Sequence, residues 1–197
     1  LFCRSLDIME FFSVLLNDTG NAEKFASLAR NLRSKIVDCF WNEDLGGLVT
    51  TRIDGKPLEQ ITKHANIFAY LFGFLDDKQT EIVINRVLLN DKIQKIKTPY
   101  FRFYELSALC EAGKHDFVIK EMLDYWGGMI DLGSTTFWEE YDPTVSGSKL
   151  YAMYGEPFDK SLCHAWGASP IYLLGKYFLG VRPLTPGYET YEVKPNL

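Results

Sequence analysis

Apolar positions recur along this chain at helical spacing, and they do so in two alternating kinds of segment. Seven helices are predicted, at 2–17, 21–41, 60–75, 77–90, 99–113, 115–126 and 161–179. The second has one apolar stripe, Phe25, Leu28, Leu32, Ile36 and Phe40, with Glu23, Lys24, Arg30, Arg33 and Lys35 off it, and Asn21 as its expected N-cap. The fourth is amphipathic through Ile82, Val83 and Val87, and the sixth is also amphipathic. The first, third, fifth and seventh are apolar nearly all round, as in "QITKHANIFAYLFGFL" and "PYFRFYELSALCEAG". A helix apolar on every side is expected to be buried on every side. Pro99 suits a first helical turn and Gly113 a C-cap, and Pro170 is expected to kink the seventh helix, which Gly180 ends.

Between the helices lie segments of other character. Residues 42–59 carry glycines with β-branched residues between them and predict a small hairpin. A long loop is expected over 127–160, and "YETYEV" predicts a strand in the tail. Short links make successive helices antiparallel neighbours, so the alternation predicts stacked helical hairpins with an inner and an outer layer. An open solenoid would show a repeat of fixed length, and these hairpins share none. The expected fold is therefore all-α, the last part of an (α/α)6 toroid over 1–180, because three and a half hairpins are too few to close one. Residues 181–197 are expected to begin a C-terminal β-sandwich or linker. The chain starts at Leu1 rather than Met, with no signal-like opening.

The alternation puts every link from an outer helix to the next inner one at the same end. Those links, 42–59, 91–98 and 127–160, gather His64, Thr98, Tyr100 and His164 at one face, where helix N-termini favour anions and hydroxyl-rich ligands. The third link contains "TTFWEEYDP", Thr135 to Pro143. Adjacent side chains of an extended segment point to opposite sides, so Glu139 and Glu140 are not expected to act as one dyad. A solvated acidic loop is the plain alternative. Trp138 and Tyr141 flank the pair, however, and a carboxylate that loses water to aromatic surface suits general acid or base work.

Composition narrows this further. The net charge of −5 with no basic cluster argues against nucleic acid and anionic membrane surfaces. No apolar run is long enough to span a bilayer. Cys3, Cys39, Cys110 and Cys163 are far apart and form no metal-ligand spacing, so four buried thiols are expected and no metal or other cofactor. Aromatic residues make up 15% of the chain, and aromatic faces pack against the C–H groups of sugar rings. Core packing explains most of them equally well.

The stretches "GGMIDLGSTTFWEEYDP" and "SLCHAWGASPIYLLGKYFLGVRP", with "TPYFRFYELSAL" and "HANIFAYLFG", resemble the bacterial α-L-rhamnosidases, the six-hairpin enzymes of glycoside hydrolase family 78. The specific part is Thr-Thr-x-Trp-Glu with the later Ser-Leu-x-His. The resemblance implies an inverting glycosidase acting on rhamnosides of plant or microbial origin, in a periplasmic or extracellular setting. It implies that Glu139 is the general base and that His164 contacts the rhamnose. Trp138, Glu140, Tyr141, His64, Tyr100 and Trp166 complete the expected sugar-binding set. That family carries its general acid in a segment resembling Asp-Glu-Arg-Leu-Gly-Trp, which has no counterpart here, so the isolated chain is expected to be inactive. An open barrel should also expose inner apolar surface and favour a homodimer. The alternatives are a six-hairpin glycosidase of other sugar specificity and a non-catalytic hairpin scaffold that binds carbohydrate or protein.

Overall fold

The computed structural model describes residues 1–196; Leu197, the last residue of the expected tail segment, lies outside the described residues. Helices dominate, and the residues divide into two compact units, Leu1–Gln94 and Lys95–Leu197. The fold is all-α, built of helical hairpins with a short β tail.

The first unit contains helices α1 (Phe2–Leu15), α2 (Thr19–Phe40), α3 (Lys63–Leu71) and α4 (Asp77–Val83). The pair α1/α2 closes over small residues: Ala26 and Ala29 are the buried positions of α2. The Cys3 thiol donates to the Ala29 carbonyl at 3.4 Å, and Arg33 pairs with Asp7 at 2.8 Å. The predicted α2 stripe is at best half-buried, and Leu28 is exposed. The N-cap is Asp18 rather than Asn21, because helix begins at Thr19 and the Asp18 carboxylate accepts from the Asn21 N–H at 3.1 Å.

Two small hairpins fill the predicted non-helical link. Strand β1 (Trp41–Asn42) pairs with β2 (Gly47–Leu48), and β3 (Arg52–Ile53) with β4 (Lys56–Pro57). Buried Asn66 on α3 behaves like a further strand: its side chain accepts from Leu48 N at 2.8 Å and donates to Leu48 O at 3.0 Å. A Cβ on Gly47 would lie 2.6 Å from Ile61 and 2.8 Å from the Asn66 oxygen, so only glycine fits this crossing. Buried Lys63 ties α3 to the π-helical turn Ile84–Leu88 by donating to Leu88 O at 2.8 Å. That turn extends α4, which opens on a capping box of Asp76 and Gln79.

In the second unit, α5 (Pro99–Glu111) begins on its proline and packs against α6 (His115–Met122) and α8 (Ser169–Leu173). Gly113 follows α5 at φ 71°, and Lys114 N donates back to Leu109 O, the left-handed C-cap anticipated from the sequence. Helix α6 runs on through a π turn, Leu123–Gly127, into α7 (Gly128–Asp131), past the predicted end at 126. Gly128 sits in that helix because the Tyr141 ring occupies the place of a Cβ, with Cζ at 2.7 Å. The seventh predicted helix is much shorter than 161–179. Pro170 starts α8 rather than kinking it, and residues before Ser169 form only a 3-10 turn, Ala165–Gly167. Beyond α8 and its π turn, Leu174–Phe178, β5 (Val181–Pro183) pairs antiparallel with β6 (Tyr191–Val193).

The inner-helix rule holds for α5, in which Arg102 and every residue from Glu105 to Cys110 are buried. It fails for α1 and α8. Phe11, Phe12 and Leu15 of α1 are 51–60% exposed, and Ile171 of α8 is 67% exposed, since no described residue covers those faces. The cysteines also divide: Cys3 and Cys110 are buried, with burial pushing the Cys110 thiol up to about 12, whereas Cys39 and Cys163 are exposed rather than buried as expected. No helix among the described residues is long and apolar enough to cross a membrane.

Candidate active site

Segment 134–143 is irregular, with bends at 135, 136 and 139, and is held by segment 160–167. His164 N donates to Phe137 O at 2.8 Å, and Glu139 N to Ser161 O at 2.9 Å. Glu139 is 7% exposed. One carboxylate oxygen accepts from Ser161 N at 3.0 Å, and the other accepts from the Tyr154 hydroxyl at 3.3 Å. His164 Nε2 stands 3.9 Å from that second oxygen.

An aromatic wall continues from the carboxylate. The His164 and Trp166 rings stack at 3.9 Å with 15° between their planes, and Tyr100, at the start of α5, lies 5.6 Å from Trp166. The Trp166 indole donates to the Glu139 carbonyl at 3.3 Å. His164 Nδ1 is buried with no hydrogen-bond partner among the described residues. His164 does not open a helix as anticipated. It adopts extended backbone, which lets its side chain face Glu139 across the paired segments.

The two glutamates go to different partners: the Glu140 carboxylate lies 3.7 Å from the Lys160 ammonium. Trp138 is a core residue, 4% exposed and packed near Tyr151, so it offers no open face to a sugar. Tyr141 packs on Gly128 and Tyr125 and faces away into a cleft of about 580 Å³, lined also by Lys97, Arg102, Asp142 and Thr144. Glu139 does not line that cleft. His64 belongs to the first unit, exposed on the first turn of α3. Of the anticipated set, Glu139, His164, Trp166 and Tyr100 are gathered into one group. Tyr154, Lys160 and Ser161 were missed. Each is 15 to 22 residues from its glutamate in sequence; Ser161 opens the Ser-Leu-x-His stretch but acts through its backbone, and no motif marks Tyr154 or Lys160.

Asp142 follows closely in the same segment but differs in chemistry. Its hydrogen bond to Lys97 at 2.7 Å, with further bonds from Thr144, holds its carboxyl down at about 2. Such a group stays ionised near neutral pH and is unsuited to donating a proton. A carboxyl depressed in the folded state stabilises the fold above its ordinary value of 3.8 and loses that contribution as pH falls from there through about 2. Asp142→Asn is expected to flatten the acid-unfolding curve in that window, read by circular dichroism; an unchanged slope would contradict the assignment. Among the described residues no cluster of histidine, cysteine or carboxylate could hold a metal ion.

Residues 1–178 match the family described as the bacterial α-L-rhamnosidase six-hairpin glycosidase domain. A family 78 rhamnosidase of Bacillus sp. GL1 superposes with a TM-score of 0.84 at 24% identity, covering 98% of this chain and 20% of that one. A rhamnosidase from Klebsiella oxytoca, with rhamnose bound, gives 0.70 at 25% identity, covering 87% of this chain and 32% of that one. The chain thus spans about a fifth and a third of the lengths of these two structures. Comparison with curated proteins gives no match.

Proposed function

We propose, since this chain belongs to the bacterial α-L-rhamnosidase six-hairpin glycosidase family, that it supplies the general base for inverting hydrolysis of terminal α-L-rhamnosides. The observation that carries the reading is the buried Glu139 carboxylate, fixed by Ser161 and Tyr154 beside the His164–Trp166 stack. In this reading Glu139 takes a proton from the attacking water, His164 hydrogen-bonds a sugar hydroxyl, and Trp166 and Tyr100 offer apolar surface to the ring. The rhamnose in the Klebsiella structure supports a rhamnoside as the substrate class.

Inversion requires a second carboxyl, protonated, about 6.5–9.5 Å from the base. Asp142 is held ionised and Glu140 is paired with Lys160, so neither fits. The general acid is proposed to come from residues outside this chain, and the β5/β6 hairpin is proposed to lead into a β-sandwich. Exposed Phe2, Phe11, Phe12 and Leu15 on α1 support self-association when the chain is alone.

Both halves are tested by one comparison. The longer parent protein should hydrolyse an aryl α-L-rhamnoside and release the β anomer first, seen by proton NMR. The isolated 197 residues should be inactive and should elute as a dimer or larger on sizing. Release of the α anomer first would exclude inversion. Turnover by the isolated chain would exclude an acid supplied from outside it.

A further inference from the structure

Lys160 is the least expected side chain near this site. It is 2% exposed, and lysine is almost never fully buried unless paired. Among the described residues its one ionic partner is Glu140, at 3.7 Å. The Lys160 backbone is tied to Tyr151 O at 3.0 Å, and the backbone of the next residue, Ser161, donates to the Glu139 carboxylate at 3.0 Å and accepts from Glu139 N at 2.9 Å. Two neighbouring residues therefore separate two neighbouring carboxylates: the Ser161 backbone takes Glu139, and the Lys160 side chain takes Glu140.

We propose that Lys160 is a positioning residue, a buried counter-ion that draws Glu140 aside and leaves Glu139 as the carboxylate free to take a proton. The inference rests on Glu139 being the base. A bare Glu140 beside Glu139 would repel its charge and favour its protonated form. With Lys160 in place the adjacent charges largely cancel. Other groups that face the pair are the Tyr154 hydroxyl and His164 on Glu139, and, at longer range on Glu140, Lys97, Tyr125 and Tyr154. Asp159 also acts on Tyr154. None of these is a cation bound to Glu140.

The pH profile of kcat/KM in the full-length protein tests this, because its acid limb reports the base in the free enzyme. Lys160→Met should move the acid limb up by about one pH unit. The double variant Lys160→Met/Glu140→Gln should return it to its wild-type position. Glu140→Gln alone leaves an uncompensated ammonium near Glu139 and should move the limb down, which keeps the test open if Lys160→Met does not fold. A purely structural Lys160 predicts lower kcat with no movement of the limb in any variant, and that result overturns the proposal. Retained activity in Glu139→Gln defeats the base reading instead. An inactive Glu139→Gln with an unmoved limb in the Lys160 and Glu140 variants defeats this inference alone.

Discussion

Glu139→Gln in the full-length protein is expected to lower kcat by about 10²–10⁴-fold while binding of rhamnose changes little. Glutamine keeps the shape of glutamate and can keep its contacts. Its carbonyl oxygen can accept from Ser161 N, and its amide can donate to the Tyr154 oxygen. What it cannot do is accept a proton from water at neutral pH. The loss should therefore fall on kcat, with KM and thermal stability near wild type, which separates a chemical role from a structural one. Calorimetric titration with rhamnose supplies the binding arm. Activity within tenfold of wild type would remove Glu139 from the mechanism, and lost binding would make it a structural residue.

A second large effect is expected from one methyl group. Gly167 ends the 3-10 turn behind the aromatic wall. A Cβ there would lie 2.8 Å from the Phe137 Cβ and 2.9 Å from the Trp138 carbonyl. Neither is the end of a flexible side chain, so backbone must move. Gly167 is itself pinned, its N–H donating to His164 O at 2.9 Å and its carbonyl accepting from the Trp126 indole at 2.8 Å. The strain should push out residues 137–139. Gly167→Ala is expected to cost about 1–3 kcal/mol, a fall in Tm of about 2–4 °C per kcal/mol for a chain of this size. Displacing Glu139 by an ångström should lower kcat about 100-fold. Gly175→Ala is the control, since a Cβ there meets nothing within 4 Å. Equal melting temperatures for the two variants would refute the packing argument.

Local order explains what could be read without a structure. The apolar period marked six helices near their observed places, and the glycines and Pro99 marked several ends, because helix propagation and capping depend on residues three or four apart. The same reasoning placed Pro170 mid-helix. Proline suits a first turn equally well, and residues 161–164 before it give their backbone hydrogen bonds to 137–139 instead of to a helix. The rule that an all-apolar helix is buried held for α5 and failed for α1 and α8, since burial needs a partner surface and the described residues provide one only for the first.

At the site, "TTFWEEYDP" and the later "SLCHAW" were enough to point to the family, and Glu139, His164, Trp166 and Tyr100 stood out among their neighbours. That Trp138 is core, that Tyr141 serves a different cleft, and that Ser161, Tyr154 and Lys160 hold the two glutamates apart emerges only once the chain is folded. The difference is one of distance along the chain. Side-chain direction in an extended segment follows from backbone alternation, but which donor or cation meets each carboxylate depends on how the intervening loop closes, and no local pattern records that closure.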